Sequence, residues 1–209
     1  LPLRGKVLNT LEVDKDRLFA NNEVHDMAVA IGVDPHSPTD TPDVSGLRYG
    51  KICILSDADV DGSHIQVLLL TFFYNHFPKL IELGHIYIAR PPLFRVDVPA
   101  RGKKLAQKVY CLDMDELSSI QDKLMKDGVK EGAWQVSRFK GLGEMNSEQL
   151  WETTMNPDTR RLSQVVLNTE RVADDILSKD MMTMLMGKGE AASRKTWLEA
   201  KGNLAHADI

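Results

Sequence analysis

The chain has 209 residues, of which 43% are hydrophobic and 27% are charged, and its formal net charge at pH 7 is −4. This composition is typical of a globular protein, and no apolar run approaches the roughly 20 residues that a membrane-spanning helix needs. An acidic chain binds nucleic acid poorly, so any contact with DNA would require local basic clusters. The two cysteines, Cys53 and Cys111, indicate neither a disulfide framework nor a zinc site and favour a reducing cytoplasm. Residues 1–6 lack the charge order of a signal peptide, and since the chain begins without methionine we expect it to be part of a longer protein.

Hydrophobic patterning predicts helices and strands in alternation, which is typical of a parallel or mixed α/β sheet. Residues 14–32 carry apolar side chains at helical spacing and are predicted to form one or two helices that begin at Asp14 or Asp16. The prolines of residues 34–44 indicate a surface loop. Strands are predicted at residues 52–55, where Cys53 would be buried, and at residues 85–89, 93–98 and 134–139.

The second half of the chain is predicted to be more helical. Residues 99–133 are charged, with a helix between Asp115 and Lys126, and are interpreted as a peripheral excursion from the core. A further helix is capped by Asn146 and ends before Pro157. Residues 168–209 are predicted to form a helical tail, whose methionine cluster at residues 181–186 is interpreted as core or interface filler.

Three carboxylates, Asp57, Asp59 and Asp61, directly follow the first predicted strand, and Gly62 and a predicted helix at residues 65–77 come next. In open α/β sheets, ligands bind outside the carboxyl ends of the strands. Three carboxylates at that place repel one another unless a cation neutralises them, and oxygen ligands suit Mg²⁺ or a similar hard ion. The turn is therefore a predicted metal site.

Part of this turn also fits helix capping or a calcium loop. An Asp often caps a helix or favours its dipole, but three in alternation exceed that need. The pattern D-x-D-x-D-G also begins a calcium loop, which requires a glutamate at its twelfth position. Counting from Asp57, that position is Leu68, and the preceding segment is predicted to be a strand rather than a helix.

A second motif follows the last predicted strand, where Gly141 and Gly143 bracket Leu142 directly after Lys140. Glycines at such positions permit a tight backbone path and the close approach of a partner such as phosphate. A plain turn from strand to helix accounts for the same residues equally well.

Five short segments resemble, in order along the chain, the Toprim-bearing half of the B subunit of bacterial type IIA topoisomerases. They are residues 2–9, 57–64, 91–95, 138–145 and 159–162, so the resemblance covers nearly the whole chain. Residues 23–34 and 45–55 are more similar to the B subunit of topoisomerase IV, whereas residues 63–74 are more similar to that of gyrase, and both assignments remain open.

The resemblance implies a Toprim-type α/β fold, with a mostly parallel sheet flanked by helices and a helical C-terminal tail. Residues 1–145 would form the metal-binding and DNA-cleavage domain, with residues 99–133 peripheral to it, and residues 146–209 would form the tail. Mg²⁺ would be held by Asp57 and Asp59, while Asp61 would hold a second ion or orient its waters.

No catalytic residue is expected within this chain. In the family, a glutamate from a Glu-Gly-Asp-Ser-Ala segment completes the metal site and is expected to precede Leu1, and ATP binds to an N-terminal domain further upstream. The attacking tyrosine belongs to the A subunit. No tyrosine of this chain matches the nucleophile motif of the family, and the tyrosines concerned are Tyr49, Tyr74, Tyr87 and Tyr110.

Several polar residues match family positions that face DNA or the cleavage site, where cations and an amide would neutralise or hydrogen-bond backbone phosphates. These predicted DNA-binding residues are Lys6, Asn9, His64, Lys140 and Arg194. A solvated helix charge accounts for Arg194 almost as well. The remaining histidines are interpreted as surface or structural residues, namely His25, His36, His76, His85 and His206.

The resemblance implies ATP-dependent cleavage, passage and religation of double-stranded DNA. The enzyme would be an A2B2 heterotetramer with a ParC-like A subunit. It would work at the bacterial nucleoid in the cytoplasm, and no membrane partner is expected. The fragment alone is predicted to be inactive. The near alternative is the corresponding part of the gyrase B subunit. A remote one is a Mg²⁺-dependent phosphoryl-transfer domain of the receiver or haloacid-phosphatase kind, in which an Asp is the nucleophile and the glycine motif has no role. A third is a scaffold that has lost its site.

Overall fold

The computed structural model describes residues 1–102, 104–167 and 172–204, and it combines helices with two small sheets. The mixed α/β class is therefore confirmed. In chain order the helices are α1 (Lys15–Ala20), α2 (Asn22–Ile31), α3 (Val60–His76), α4 (Pro78–Glu82), α5 (Met114–Lys126), α6 (Ser147–Leu150), α7 (Val172–Met186) and α8 (Ala191–Lys201). The strands are β1 (Ile52–Ile54), β2 (Ile86–Ala89), β3 (Phe94–Val98), β4 (Gln107–Cys111), β5 (Gln135–Arg138) and β6 (Leu162–Gln164). Within the described residues, no helix is both long and apolar enough to cross a membrane.

The chain divides into two compact units, each assembled from separate stretches. We call Leu1–Ile52, Val67–Ile86 and Val165–Ile209 the helical unit, and Cys53–Gln66 with Tyr87–Gln164 the sheet unit. The domain boundary expected after residue 145 stays a prediction.

Side-chain caps define the first two helices of the helical unit. The Oδ1 atoms of Asp14 and Asn21 each accept a hydrogen bond from the backbone N–H three residues on, at 2.8 and 3.1 Å. This confirms that residues 14–32 are helical and shows that they form two helices, the first beginning after Asp14. Val24 and Ile31 lie on the buried stripe of α2.

Aromatic rings at the end of α3 and directly after it pack against each other within the helical unit. Phe72 and Phe77 are fully buried, with ring centroids 5.1 Å apart. The predicted helical tail is confirmed in α7 and α8, whereas residues 168–171 and 205–209, including His206, lie outside the described part of the chain. The Thr71 hydroxyl lies 3.2 Å from the Met182 sulfur, so one member of the methionine cluster packs against α3.

The two sheets have the strand orders β1-β2-β6 and β4-β3-β5. The pairs β2–β6, β3–β4 and β3–β5 are all antiparallel, so the expected mostly parallel sheet is wrong for these pairs. Alternating apolar residues indicate strands but carry no information on the direction in which two strands pair. The prediction that Cys53 is buried is wrong. Cys53 is exposed, and the buried side chain of β1 is that of Ile54, on the opposite face of the strand.

Residues 99–133 share a hydrophobic core with β3 within the sheet unit. The helix expected between Asp115 and Lys126 is confirmed as α5. β4 was not predicted, because its apolar side chains occupy only its second half, and its pairing with β3 stabilises it. The buried side chains shared by β3, β4 and α5 are Phe94, Val96, Cys111, Leu117 and Leu124.

The helix after the glycine motif begins as predicted. Asn146 Oδ1 accepts from the Gln149 N–H and Gln149 Oε1 accepts from the Asn146 N–H, both at 2.9 Å, which is a complete capping box. α6 continues into a π-helical turn, Trp151–Met155, that ends at Asn156. The predicted cap and end point are both confirmed.

Candidate metal centre

The acidic turn joins β1 to α3, and its second carboxylate starts the helix. Asp59 Oδ1 accepts a hydrogen bond from the Gly62 N–H at 2.7 Å, and the Asp59 carbonyl accepts from the Ser63 N–H at 3.0 Å. Because Asp59 satisfies these two donors, α3 begins at Val60 rather than at the predicted Ile65. Asp61 consequently lies in the first helical turn, where its negative charge favours the helix dipole.

Asp57 is fixed by the loop that contains the glycine motif. The Leu142 N–H donates to Asp57 Oδ1 at 2.8 Å, and these two residues lie 85 positions apart in the sequence. A Cβ placed on Gly141 would lie 3.0 Å from the Asp57 carboxylate carbon and from Oδ1. A Cβ on Gly62 would lie 2.1 Å from the Asp57 carbonyl oxygen. The glycines of both motifs therefore let backbone approach Asp57 closely.

The loop itself is closed by hydrogen bonds to one acidic residue. Glu144 Oε2 accepts from the Lys140 N–H at 2.7 Å, and the Glu144 N–H donates to the Gly141 carbonyl at 3.2 Å. A 3-10 turn at Leu142–Glu144 follows from this path. The buried side chains of Phe139 and Met145 anchor the two ends.

The residue before Asp57 is also held. Ser56 is buried, and its hydroxyl accepts a hydrogen bond from Gln66 Nε2 at 2.8 Å, which ties the end of β1 to the second turn of α3. The sequence patterns did not indicate the roles of Ser56, Gln66 or Glu144. A single serine, glutamine or glutamate has no distinctive spacing, although the glycines beside them signalled a close approach.

The donors in this turn suit a hard divalent cation in kind. Asp57 and Asp59 are exposed, and one carboxylate oxygen of each accepts a hydrogen bond from a backbone N–H. Within the described residues, the second oxygen of each carboxylate takes part in no hydrogen bond or ion pair. Two carboxylate ligands of this type are what Mg²⁺ commonly takes from a protein. The described residues contain no group of three or more His, Cys, Asp and Glu side chains placed to hold a metal, and a metal site at this turn stays a prediction.

The predicted DNA-binding residues divide between the two units. His64 on α3 and Lys140 beside the glycine motif belong to the sheet unit, as do the three carboxylates, and both side chains are exposed. Lys6, Asn9 and Arg194 belong to the helical unit. The chain thus places one cation, Lys140, two residues from the amide that holds Asp57.

Asn9 and Arg194 meet at the C-terminal end of α7. Asn9 Nδ2 donates to the Met186 carbonyl at 2.8 Å, and Arg194 Nη1 donates to the carbonyls of Met184 and Gly187 at 3.0 and 3.1 Å. The last carbonyls of a helix lack intrahelical partners, so these side chains complete its hydrogen bonding. A contact with DNA remains a prediction for both residues.

A cleft of about 420 Å³ lies within the sheet unit, lined in part by Lys108, Tyr110, Glu152 and Arg161. The Tyr110 hydroxyl donates to Glu152 Oε2 at 2.8 Å. Burial and the hydrogen bond to this carboxylate raise the pKa of Tyr110 to about 12, so its phenol stays protonated near neutral pH.

The histidines expected to be structural bond to backbone atoms. The rings of His76 and His85 lie 3.2 and 2.9 Å from the carbonyls of Thr10 and Gly50. The buried His36 accepts the Lys79 N–H on Nε2 at 3.3 Å. The structural interpretation is confirmed for these three.

Two family models match the chain: that of the Toprim domain over residues 1–91, and that of the DNA gyrase B subunit, carboxyl terminus, over residues 131–199. The B subunit of DNA topoisomerase 4 from Pseudomonas aeruginosa is 52% identical over 205 residues, which are 98% of this chain and 30% of that protein. The B subunit of DNA topoisomerase 4 from Escherichia coli is 47% identical over 209 residues, 100% of this chain and 31% of that protein.

The chain belongs to the B-subunit family of bacterial type IIA topoisomerases. A further member, the B subunit of DNA gyrase from Thermus thermophilus, is 46% identical over 211 residues, 100% of this chain and 30% of that protein. The family resemblance of the five segments is confirmed. The chain spans about a third of the length of these relatives, and topoisomerase 4 and gyrase relatives both align along nearly all of it.

Proposed function

We propose that this chain is the Mg²⁺-binding Toprim portion of a topoisomerase IV B subunit, which supports ATP-dependent cleavage, passage and religation of double-stranded DNA with an A subunit. The observation that carries the proposal is the Asp57 carboxylate, held at the end of β1 by the Leu142 N–H beside Lys140. The similarity to B subunits of DNA topoisomerase 4 supports the choice of enzyme.

Asp57 and Asp59 would hold Mg²⁺, and Asp61 would hold a second ion or orient its waters. A bound Mg²⁺ supplies Lewis-acid stabilisation of charge on phosphoryl oxygens. Lys140 and His64 would contact backbone phosphates and keep the DNA at the turn. In the helical unit, the predicted phosphate contacts are Lys6, Asn9 and Arg194.

The chain needs other polypeptides for the reaction. Since the turn offers a partial ligand set, we propose that a glutamate from a longer B subunit completes it, and that ATP binds to a separate N-terminal domain. The nucleophilic tyrosine would come from a ParC-like A subunit in an A2B2 heterotetramer. Such an enzyme would work in the bacterial cytoplasm, at the nucleoid.

Reconstitution tests the proposal. The 209-residue chain and a complete B subunit are each mixed with the A subunit, Mg²⁺, ATP and catenated or supercoiled DNA. Decatenation and relaxation are expected only with the complete B subunit. Strand cleavage by the 209-residue chain alone would show that the nucleophile lies within it and would contradict the proposal.

The gyrase B subunit is the second candidate, because a gyrase relative is 46% identical to the chain. The two candidates differ in the product they form from relaxed DNA and ATP. A gyrase would introduce negative supercoils, whereas a topoisomerase IV would leave the DNA relaxed and decatenate efficiently. Supercoiling of relaxed DNA by the complete pair would replace the first candidate with the second.

Lys140 provides a separate test of the DNA contact. Lys140→Ala in the complete enzyme should reduce the slope of log binding constant against log salt concentration by about one unit, as expected for one lost phosphate contact. Lys123→Ala, which removes an exposed cation from α5, serves as the control and should leave the slope unchanged. An unchanged slope in both variants would show that Lys140 does not contact the DNA backbone.

A further inference from the structure

The loop that fixes Asp57 contains an acidic residue, Glu144, to which the family resemblance assigns no role. Glu144 is exposed, so burial does not hold its side chain. Its carboxylate nevertheless accepts the Lys140 N–H at 2.7 Å, across the two glycines of the motif. We propose that Glu144 is a positioning residue, which shapes this loop so that the Leu142 N–H orients the Asp57 carboxylate toward the cation. This inference rests on the proposed function.

The first step concerns what holds the loop in place. Its ends are fixed independently of Glu144, because the Phe139 N–H donates to the Leu93 carbonyl at 2.8 Å and the capping box at Asn146 follows Met145. The middle of the loop contains Gly141 and Gly143, and glycine has the greatest backbone freedom of any residue. The hydrogen bonds from Lys140 and to Gly141 place Glu144 across this middle part.

The second step connects the loop to the carboxylate. The Leu142 N–H belongs to the same planar peptide group as the Gly141 carbonyl, which accepts a hydrogen bond from the Glu144 N–H. The Glu144 side chain holds an earlier peptide N–H, that of Lys140, so together these two hydrogen bonds determine where the Leu142 N–H points. Its hydrogen bond to Asp57 Oδ1 is 2.8 Å long, and hydrogen-bond strength falls steeply as the donor angle departs from linearity. A hydrogen bond that keeps one carboxylate oxygen on a backbone donor fixes the direction of the other, which is how partner groups orient metal ligands.

The third step concerns the DNA. The peptide group that Glu144 holds carries Lys140, whose exposed cation is the proposed phosphate contact. A phosphate that engages Lys140 would therefore act on the same loop that orients Asp57. Glu144 would in this way connect occupation of the DNA site with the affinity of the carboxylates for Mg²⁺.

Amide hydrogen exchange at Leu142 in the 209-residue chain, followed by NMR, measures the positioning directly. Glu144→Ala removes the acceptor and should speed exchange of this amide by roughly tenfold, as expected for a weakened charge-assisted hydrogen bond. Glu144→Gln keeps an oxygen that accepts the Lys140 N–H and should exchange nearly as slowly as the unchanged chain. Glu131→Ala, which removes an exposed carboxylate elsewhere, controls for the lost charge.

The same variants in a complete B subunit, assayed with the A subunit for Mg²⁺-dependent DNA cleavage, measure the consequence. Glu144→Ala should raise the Mg²⁺ concentration needed for half-maximal cleavage by about threefold to tenfold and keep the maximal level at saturating Mg²⁺. Glu144→Gln and Glu131→Ala should keep the original midpoint. Equal unfolding midpoints in all variants separate this effect from a loss of fold.

The outcomes distinguish the inference from the proposed function. An unchanged rate of Leu142 amide exchange in Glu144→Ala would overturn the positioning role. The same follows if Glu144→Gln speeds this exchange as much as Glu144→Ala does. Faster exchange without a shift in the Mg²⁺ concentration for half-maximal cleavage would also overturn it. Full cleavage by Asp57→Ala would instead contradict the proposed metal site, and the Leu142 exchange rates would still decide whether Glu144 holds the loop.

Discussion

At the scale of single residues, the close packing around Asp57 explains why two glycines flank it in space. The φ angle of Gly141 is −164°, which any residue adopts, so the requirement at this position comes from space rather than from backbone conformation. A Cβ there would lie 3.0 Å from the Asp57 carboxylate, closer than ordinary van der Waals contact. The glycine motif therefore serves the acidic turn.

Alanine at Gly141 should consequently disturb the metal site. We expect Gly141→Ala to lower Mg²⁺-dependent cleavage by the complete enzyme by about tenfold, because Asp57 must turn away from its hydrogen-bond donor. Gly143→Ala is the matched control, since a Cβ at Gly143 meets nothing within 4 Å. Cleavage assays across a Mg²⁺ titration compare the two variants. Equal effects at both glycines would show that loop flexibility, and not contact with Asp57, matters.

Tyr110 provides a prediction about pH. Its pKa is about 12 in the folded chain against an ordinary value of 10.0, so the folded state holds this proton more tightly. The stabilising contribution is therefore complete below about pH 10 and is lost as the pH rises toward about 12. Denaturant unfolding of the unchanged chain should show a larger loss of stability across this range than Tyr110→Phe. A phenolate absorbance titration in which Tyr110 titrates near its ordinary value would contradict the assignment.

At the scale of elements, the end of α7 explains how residues far apart in sequence become neighbours. Asn9 and Arg194 supply donors to carbonyls that the helix leaves without partners, and a cation at this end also favours the helix dipole. The Glu12 carboxylate accepts the Lys188 N–H at 3.1 Å and joins the same region. The N-terminal segment and α8 thus both stabilise the end of α7.

Removal of Arg194 should therefore lower stability. We expect Arg194→Ala to reduce the free energy of unfolding by about 1–2 kcal/mol, because the carbonyls of Met184, Leu185 and Gly187 lose a charged donor. Lys195→Ala, at a neighbouring cation that is 79% exposed, should change it by less than about 0.5 kcal/mol. Urea unfolding of the 209-residue chain provides both values. Equal stability of the two variants would mean that Arg194 does not cap α7. The predicted phosphate contact of Arg194 is tested separately, by the salt dependence of DNA binding in the complete enzyme.

Local chemistry predicted some elements well and others poorly. The capping box at Asn146 and the caps of α1 and α2 follow from residues adjacent in sequence, so the boundaries of these helices could be predicted. β4 and β6 depend on pairing with distant strands, and β6 has only three residues, so neither has a clear periodic signal. The early start of α3 was missed because Asp59, assigned to the metal, also caps the helix.

The same distinction applies to the candidate site. The sequence singled out Asp57, Asp59 and Lys140 as candidates, because three carboxylates alternate after a predicted strand and a cation directly precedes two glycines. It did not reveal that the Leu142 N–H binds Asp57, since that contact joins residues 85 positions apart. The role that we propose for Glu144 likewise rests on contacts seen only in the structure.

At the scale of the whole molecule, the chain consists of two units of discontinuous sequence, and the predicted metal ligands and phosphate contacts are divided between them. It spans about a third of the length of its relatives, and the family relationship extends along nearly all of the present chain. We propose that this segment holds and polarises DNA and that it relies on other domains for the nucleophile, the remaining ligand and ATP.

Carboxylate substitution in the complete enzyme tests the central claim most directly. Asp57→Ala and Asp59→Ala are compared with Asp122→Ala, which removes an exposed carboxylate from α5, in Mg²⁺-dependent double-strand cleavage with the A subunit. Because the turn is exposed and its carboxylates repel one another, all three variants should fold. Their unfolding free energies should lie within about 2 kcal/mol of the unchanged protein, with the largest loss in Asp59→Ala, which removes the cap of α3. We expect cleavage to be abolished in the first two and retained in Asp122→Ala. Full cleavage by Asp57→Ala or Asp59→Ala would contradict the assignment of this turn as the metal site.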